Sequence, residues 1–158
     1  MKTLVASIAT TLLLAAPALA DGKIYVQLPD LSGMTGARAE TLLGEVVLAN
    51  VISSNCTRFA VSDEEWSLLV DAADILAREQ LRLSVEDYDS RFYGSAFDAL
   101  DQADACATHG PRVQPTIDRL VELGGSREAL PDQDAAYQAD QARRAAWDAI
   151  QPRKTKTK

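Results

Sequence analysis

SDEEWSLLVDAADILAREQL, residues 62–81, reads as a helix whose start is written into its first four residues. Ser62 and Glu65 stand at capping-box spacing, so each side chain can satisfy a free backbone donor of the other residue. Asp63 and Glu64 suit the positive end of the helix dipole. Trp66, Leu69, Val70, Ala73, Leu76 and Ala77 then recur at helical spacing and predict one apolar face out to about Leu81, with Trp66 as a core anchor.

The same period governs the flanks. Upstream, Leu42, Leu43, Val46, Val47 and Val51 predict an amphipathic helix over residues 37–54, with Asn50 bonded to backbone or capping a neighbour. Downstream, Ser84 and Asp87 repeat the Ser-first, acid-fourth pattern and open a short helix through Phe92. Gly94 is expected to end it, and Ser95 to cap another that carries Phe97 and Leu100 inward. Cys106 is placed in a loop or frayed helix end. The next helix runs from about Val113 to Leu123, with Pro115 in its first turn and Gly124-Gly125 as its stop.

The expected fold is therefore all-α: a bundle of four to five helices with an extended N-terminal arm, one internal disulfide and a loosely packed C-terminal helix. The arm covers residues 21–36. Ile24, Val26 and Leu28 alternate there with Tyr25 and Gln27, but no second strand is evident to pair with them. The stapled helical domain covers residues 37–130. Residues 131–158 form an amphipathic helix and a basic tail, in which Ala139, Ala142, Ala146 and Ile150 make a thin apolar stripe. Tyr137 and Trp147 are its larger side chains and the expected contacts for a partner.

Residues 1–20 read as a cleavable leader. Lys2 precedes an apolar run from Leu4 to Ala16, and Ala18-Leu19-Ala20 has the small-x-small form of a cleavage site. The run is shorter than the roughly 20 residues that span a bilayer. The mature chain would begin at Asp21 and be periplasmic or secreted. Losing Lys2 moves the net charge from −7 to −8, and such a surface repels nucleic acid and anionic lipid. The two cysteines of the chain, Cys56 and Cys106, both lie in the mature part, and an even count in an oxidising compartment predicts that they pair.

Two arrangements merit weighing as sites. His109 follows Cys106 by three residues, but four-coordinate zinc would need the two sulfurs that a disulfide removes. Asp98, Asp101 and Asp104 can share a helix face, and Asp87 and Asp89 lie nearby. A calcium loop of the EF-hand type fails there, because Arg91 and Phe92 occupy its fifth and sixth places. No glycine-rich phosphate loop and no zinc-protease or serine-hydrolase motif is present. The expected site inventory is thus a disulfide, with no catalytic residue, metal or cofactor.

Asn55-Cys56 after an amphipathic helix, the later Cys106, and Gln80-Leu81-x-Leu83-Ser84-x-x-Asp87-Tyr88-Asp89-x-x-Phe92-Tyr93 resemble small exported bacterial helical proteins of an uncharacterised domain family, across residues 37–126. That resemblance assigns no activity. The layout is also similar to the HdeA-type periplasmic acid-stress chaperones: a leader, about 50 residues between two cysteines, then a charged helical segment with a tryptophan. It implies an acid-activated chaperone, since at pH about 3 most carboxylates are protonated. The reading preferred from the residues is a non-enzymatic module that binds or supports another exported component.

Overall fold

The computed structural model describes residues 22–150. The expected leader and the basic tail lie outside the described residues.

The chain order is α1 (Gly36–Asn55), a 3-10 turn (Thr57–Phe59), α2 (Asp63–Ile75) with a π-helical turn (Leu76–Gln80), α3 (Val85–Tyr88), a second π-helical turn (Asp89–Tyr93), α4 (Gly94–Leu100), α5 (Ala105–His109), a 3-10 turn (Gly110–Arg112), α6 (Val113–Glu122) and α7 (Gln133–Ile150). Since α2, α3–α4 and α5–α6 run on through their turns, the described residues form five continuous helical rods and contain no strand.

Helix α1 is the central rod. It packs on α2, α4 and α6, and Leu42, Leu43, Val46, Val47 and Ile52 are fully enclosed. Its second half is buried nearly all round, as its broad apolar face demands. Each such side chain contributes about 1.5–3 kcal/mol relative to exposure. Leu68, Leu69, Ala72 and Leu76 of α2 and Ile117 and Leu120 of α6 complete the core.

The helix starts follow the local chemistry. Glu65 N–H donates to Ser62 Oγ and Ser62 N–H donates to Glu65 Oε2, both at 3.2 Å, so the capping box is closed. Asp87 N–H donates to Ser84 Oγ at 3.0 Å. The end of the second rod is less ordinary. Leu81 N–H reaches back to Leu76 O, and Leu83 N–H to Ala77 O, with Arg82 between them at φ 51°. A left-handed residue closing a helix end in this way is normally glycine.

Three local expectations are corrected. Gly94 does not end a helix; the second π-helical turn carries the chain through it, and Ser95 bonds back to Arg91 O instead of capping a new start. Phe97 faces outward, 48% exposed, because the inward positions of α4 are taken by Ala96 and Leu100. Trp66 is 40% exposed. It lies roughly 100° round the helix from the centre of the buried arc, so periodicity put it on the apolar flank but not inside it.

Cys56, at the end of α1, is bonded to Cys106 in α5, with 50 residues of separation and Cα atoms 5.7 Å apart. Beside this link the backbone of Gly110 lies close against the Phe59 ring. A Cβ placed there would sit 2.1–2.6 Å from three ring carbons. Gly110→Ala should therefore destabilise the protein by about 2 kcal/mol or more, the cost of overpacking a filled site. Urea unfolding checks this, and an unchanged midpoint would mean the ring moves aside freely.

The arm is extended as expected, and its missing partner is now visible. Val26 pairs in one antiparallel bridge with Ala129. Leu130 N–H donates to Tyr25 O at 2.8 Å, Ser126 N–H to Gln27 O at 3.0 Å, and Asp30 N–H to Leu123 O at 2.8 Å. Tyr25, Val26, Leu31 and Met34 are buried. The pairing partner is the loop after α6, which has no alternating pattern of its own.

Candidate functional site

The most unusual surface chemistry in the molecule lies where the arm and α7 meet α2. Ser67, Asp71, Asp74 and Arg78 recur along the second rod at i, i+4, i+7 and i+11, which makes a polar stripe beside its apolar face. On α7, Gln133, Ala136, Asp140, Arg143, Arg144 and Trp147 are the residues turned inward. The arm supplies Lys23.

These groups interlock. Lys23 Nζ lies 2.6 Å from Asp71 Oδ1 and 3.8 Å from Asp140 Oδ2. Arg144 reaches all three carboxylates: Asp140 at 2.8 Å, Asp74 at 3.3 Å and Asp71 at 3.7 Å. Arg143 donates to the second oxygen of Asp140 and stands 4.0 Å from Asp71. The Asp71 side chain is 2% exposed and that of Asp140 5%. Three carboxylates and three cations thus balance, which is the condition for keeping charges out of water.

Trp147 closes the far end. The guanidinium groups of Arg78 and Arg143 lie 5.4 and 5.1 Å from its ring centroid, and its Nε1–H donates to Glu79 Oε1 at 3.0 Å. At the near end Gln133 forms a reciprocal amide pair with the arm. Tyr25 N–H donates to Gln133 Oε1 at 2.8 Å, and Gln133 Nε2 donates to Tyr25 O at 2.9 Å.

The environment moves two carboxyls in opposite directions. Burial raises Asp74 above the ordinary carboxylate range, against the pull of Arg144. Burial also pushes Asp140 up, but hydrogen bonds from Arg144 and Arg143 outweigh it and hold this group below the usual value of 3.8.

Two clefts border the arm. One of about 450 Å³ lies between Gly22, Lys23 and Ile24 and the first turn of α2, where Asp63, Trp66 and Ser67 line it. The other, about 250 Å³, runs between Tyr25–Leu28 and the inner edge of α7. Tyr137 stands 41% exposed with its ring edge-on to Tyr25, centroids 6.3 Å apart.

The residues singled out in the sequence fall in scattered places. Trp147, expected to meet a partner, is 7% exposed and faces the protein's own second rod. The alanine stripe of Ala139, Ala142 and Ala146 points to solvent, because the ion pairs and Trp147 select the opposite face of α7 for docking. Asp98, Asp101 and Asp104 are exposed; of these, Asp104 accepts from Thr108 Oγ1 at 3.0 Å. Asp87 and Asp89 are exposed as well. Both ring nitrogens of His109 are shielded and without a hydrogen-bond partner, in a crevice beside Glu45, Ala49, Arg112 and Thr116. Among the described residues, no three His, Cys, Asp or Glu side chains converge as a metal site.

The charged seat itself escaped the sequence reading. Its signal was present: Asp71 and Asp74 interrupt the otherwise apolar stretch Leu68–Ala77 three residues apart. Which cations answer them is not encoded locally, since Lys23 is 48 residues from Asp71 and Arg144 is 70 from Asp74.

No family model, curated protein or solved structure matches this chain. Its class is therefore defined by its own geometry: a disulfide-stapled all-α body whose arm and last helix are fastened by buried charges. The disulfide fits an oxidising location, and among the described residues no helix is long and apolar enough to cross a membrane.

Proposed function

We propose that this chain is an exported, non-enzymatic binding module of the periplasm or extracellular space, with its contact face along the arm. The leader-like residues 1–20 and the disulfide support export. One observation carries the contact face: clefts of about 450 and 250 Å³ border the same short arm, and Trp66 and Tyr137 stand partly exposed beside it. Half-exposed aromatic side chains on a rigid body are characteristic anchors for partners. Tyr137 keeps its expected role in this reading, whereas Trp66 replaces Trp147.

The test is capture from the exported fraction of the source cells, using the mature chain with a photo-crosslinker at Tyr137. Trp66→Ala should abolish the crosslinked band and leave the circular dichroism spectrum intact. A band that survives the substitution would place the contact elsewhere. A native mass that includes Met1 would refute export.

An acid-stress chaperone is a second reading, favoured by the three carboxylates enclosed where α7 meets α2. With Lys2 removed and His109 counted, the mature charge moves toward +16 when every acid is protonated. Unchanged aggregation of a client protein at pH about 3, with and without this chain, would remove it.

A further inference from the structure

We propose that α7 forms a strap that acid releases from its seat on α2 and the arm, uncovering aromatic and apolar surface while the disulfide-linked body stays folded.

The body and α7 are held in different ways. The body is held by enclosed leucine, valine and isoleucine side chains and by the disulfide. On α7, by contrast, the described side chains that are deeply buried are Asp140 and Trp147, and its other inward contacts are Gln133, Ala136, Arg143 and Arg144. An element held by charge and few apolar contacts belongs to the low-stability end of a structure and can open by itself.

The charged neighbours of Asp140 come from every side. Its own helix gives Arg143 and Arg144, and the arm gives Lys23. The second rod gives Asp71 and Asp74, which share Arg144, and then Arg78 and Glu79 around Trp147. Tyr88 of α3 stands behind Asp74; burial raises its hydroxyl, which stays protonated. On acidification only the carboxylates change.

The order of protonation sets the sign. Asp74 is raised by burial, so it takes its proton first. That step relieves a buried charge and favours the docked form as pH falls toward 3.8. Asp140 acts the other way. Burial pushes it up, but Arg144 and Arg143 hold it below 3.8, so its contribution is complete above that value and is lost as pH falls through its folded value. Once it is neutral, Lys23, Arg78, Arg143 and Arg144 crowd together with too little negative charge to hold them. Their repulsion lifts the strap and uncovers Trp147 and Tyr25. The release stands whether or not the uncovered surface receives a client, so it survives a failure of the chaperone reading.

Trp147 reports the event directly. In Trp66→Phe, which alters only a partly exposed ring, Trp147 is the remaining indole. Its emission should move to longer wavelength and its acrylamide quenching rise severalfold as pH falls below 3.8, while most far-UV ellipticity persists. Adding Asp140→Asn should give the released emission already at pH 7 and flatten the acid profile. Emission that stays fixed in acid, or moves only with global loss of helix, would overturn the strap, as would an Asp140→Asn variant with the parent's emission and profile. The pH titration needs no change in the seat, so the test stands even if Asp140→Asn fails to fold.

Discussion

Replacing Cys56 and Cys106 together by alanine should lower the unfolding free energy by about 4 kcal/mol, the chain-entropy value for a closed loop of this length. The separation is 50 residues, and the loop holds α2, α3 and α4. Freed from the link, the unfolded chain regains that loop's conformations, so most of the effect arises in the denatured state. A loss of that size is comparable to the lower end of a domain's total stability. The melting temperature should fall by roughly 10–20 °C. Alanine is the better replacement because Cys56 is buried and a serine hydroxyl there would need a partner. Urea titration of parent and double variant measures the difference. Agreement within about 1 kcal/mol would show that the unfolded chain is already compact across this loop.

Asp71→Ala is expected to cost about 3–5 kcal/mol, by a different route. Its carboxylate lies 2.6 Å from Lys23 Nζ, with the two side chains 2% and 12% exposed. Taking away the acid leaves an ammonium and two guanidinium groups in the seat against Asp74 and Asp140. The cost is mainly that of the uncompensated buried charge and not the net worth of the pair. Two consequences separate this from simple loss of packing. Helix α7 should become protease-sensitive before the body does, because it is fastened at this point and has few buried apolar side chains of its own. Lys23→Met combined with Asp71→Leu should recover most of the loss, since apolar replacements of a buried pair are often neutral or better. A single-variant loss below about 1 kcal/mol would mean that water screens the seat as it screens a surface pair.

These predictions bear on function through one contrast. The disulfide makes the body one unit, whereas the seat makes the strap conditional on charge. A binding module with a contact face along the arm would then be controlled by the same ion pairs that position the arm. The Trp66 and Tyr137 face and the Asp140 seat can be tested separately, because capture at neutral pH reads the first and Trp147 emission in acid reads the second.

Much of the architecture was legible in local pattern. The capping box at Ser62–Glu65, the apolar face of α1 and the two glycines after α6 depend on neighbours within a few residues, and their hydrogen bonds form wherever the helix forms. The cysteine pairing followed from count, because two thiols allow one intramolecular bond. Tertiary structure alone decided the rest. Trp66 and Phe97 sit at the margin of apolar faces, where a rotation of about one residue separates inside from outside. The arm found its partner in an unpatterned loop after α6, and the docking face of α7 was chosen by Lys23, Asp71 and Asp74 and not by its alanines. Helix periodicity records what lies i, i+3 and i+4 away, whereas charge pairing across 48 to 70 residues is settled only when separate rods meet, and that meeting is what built the seat.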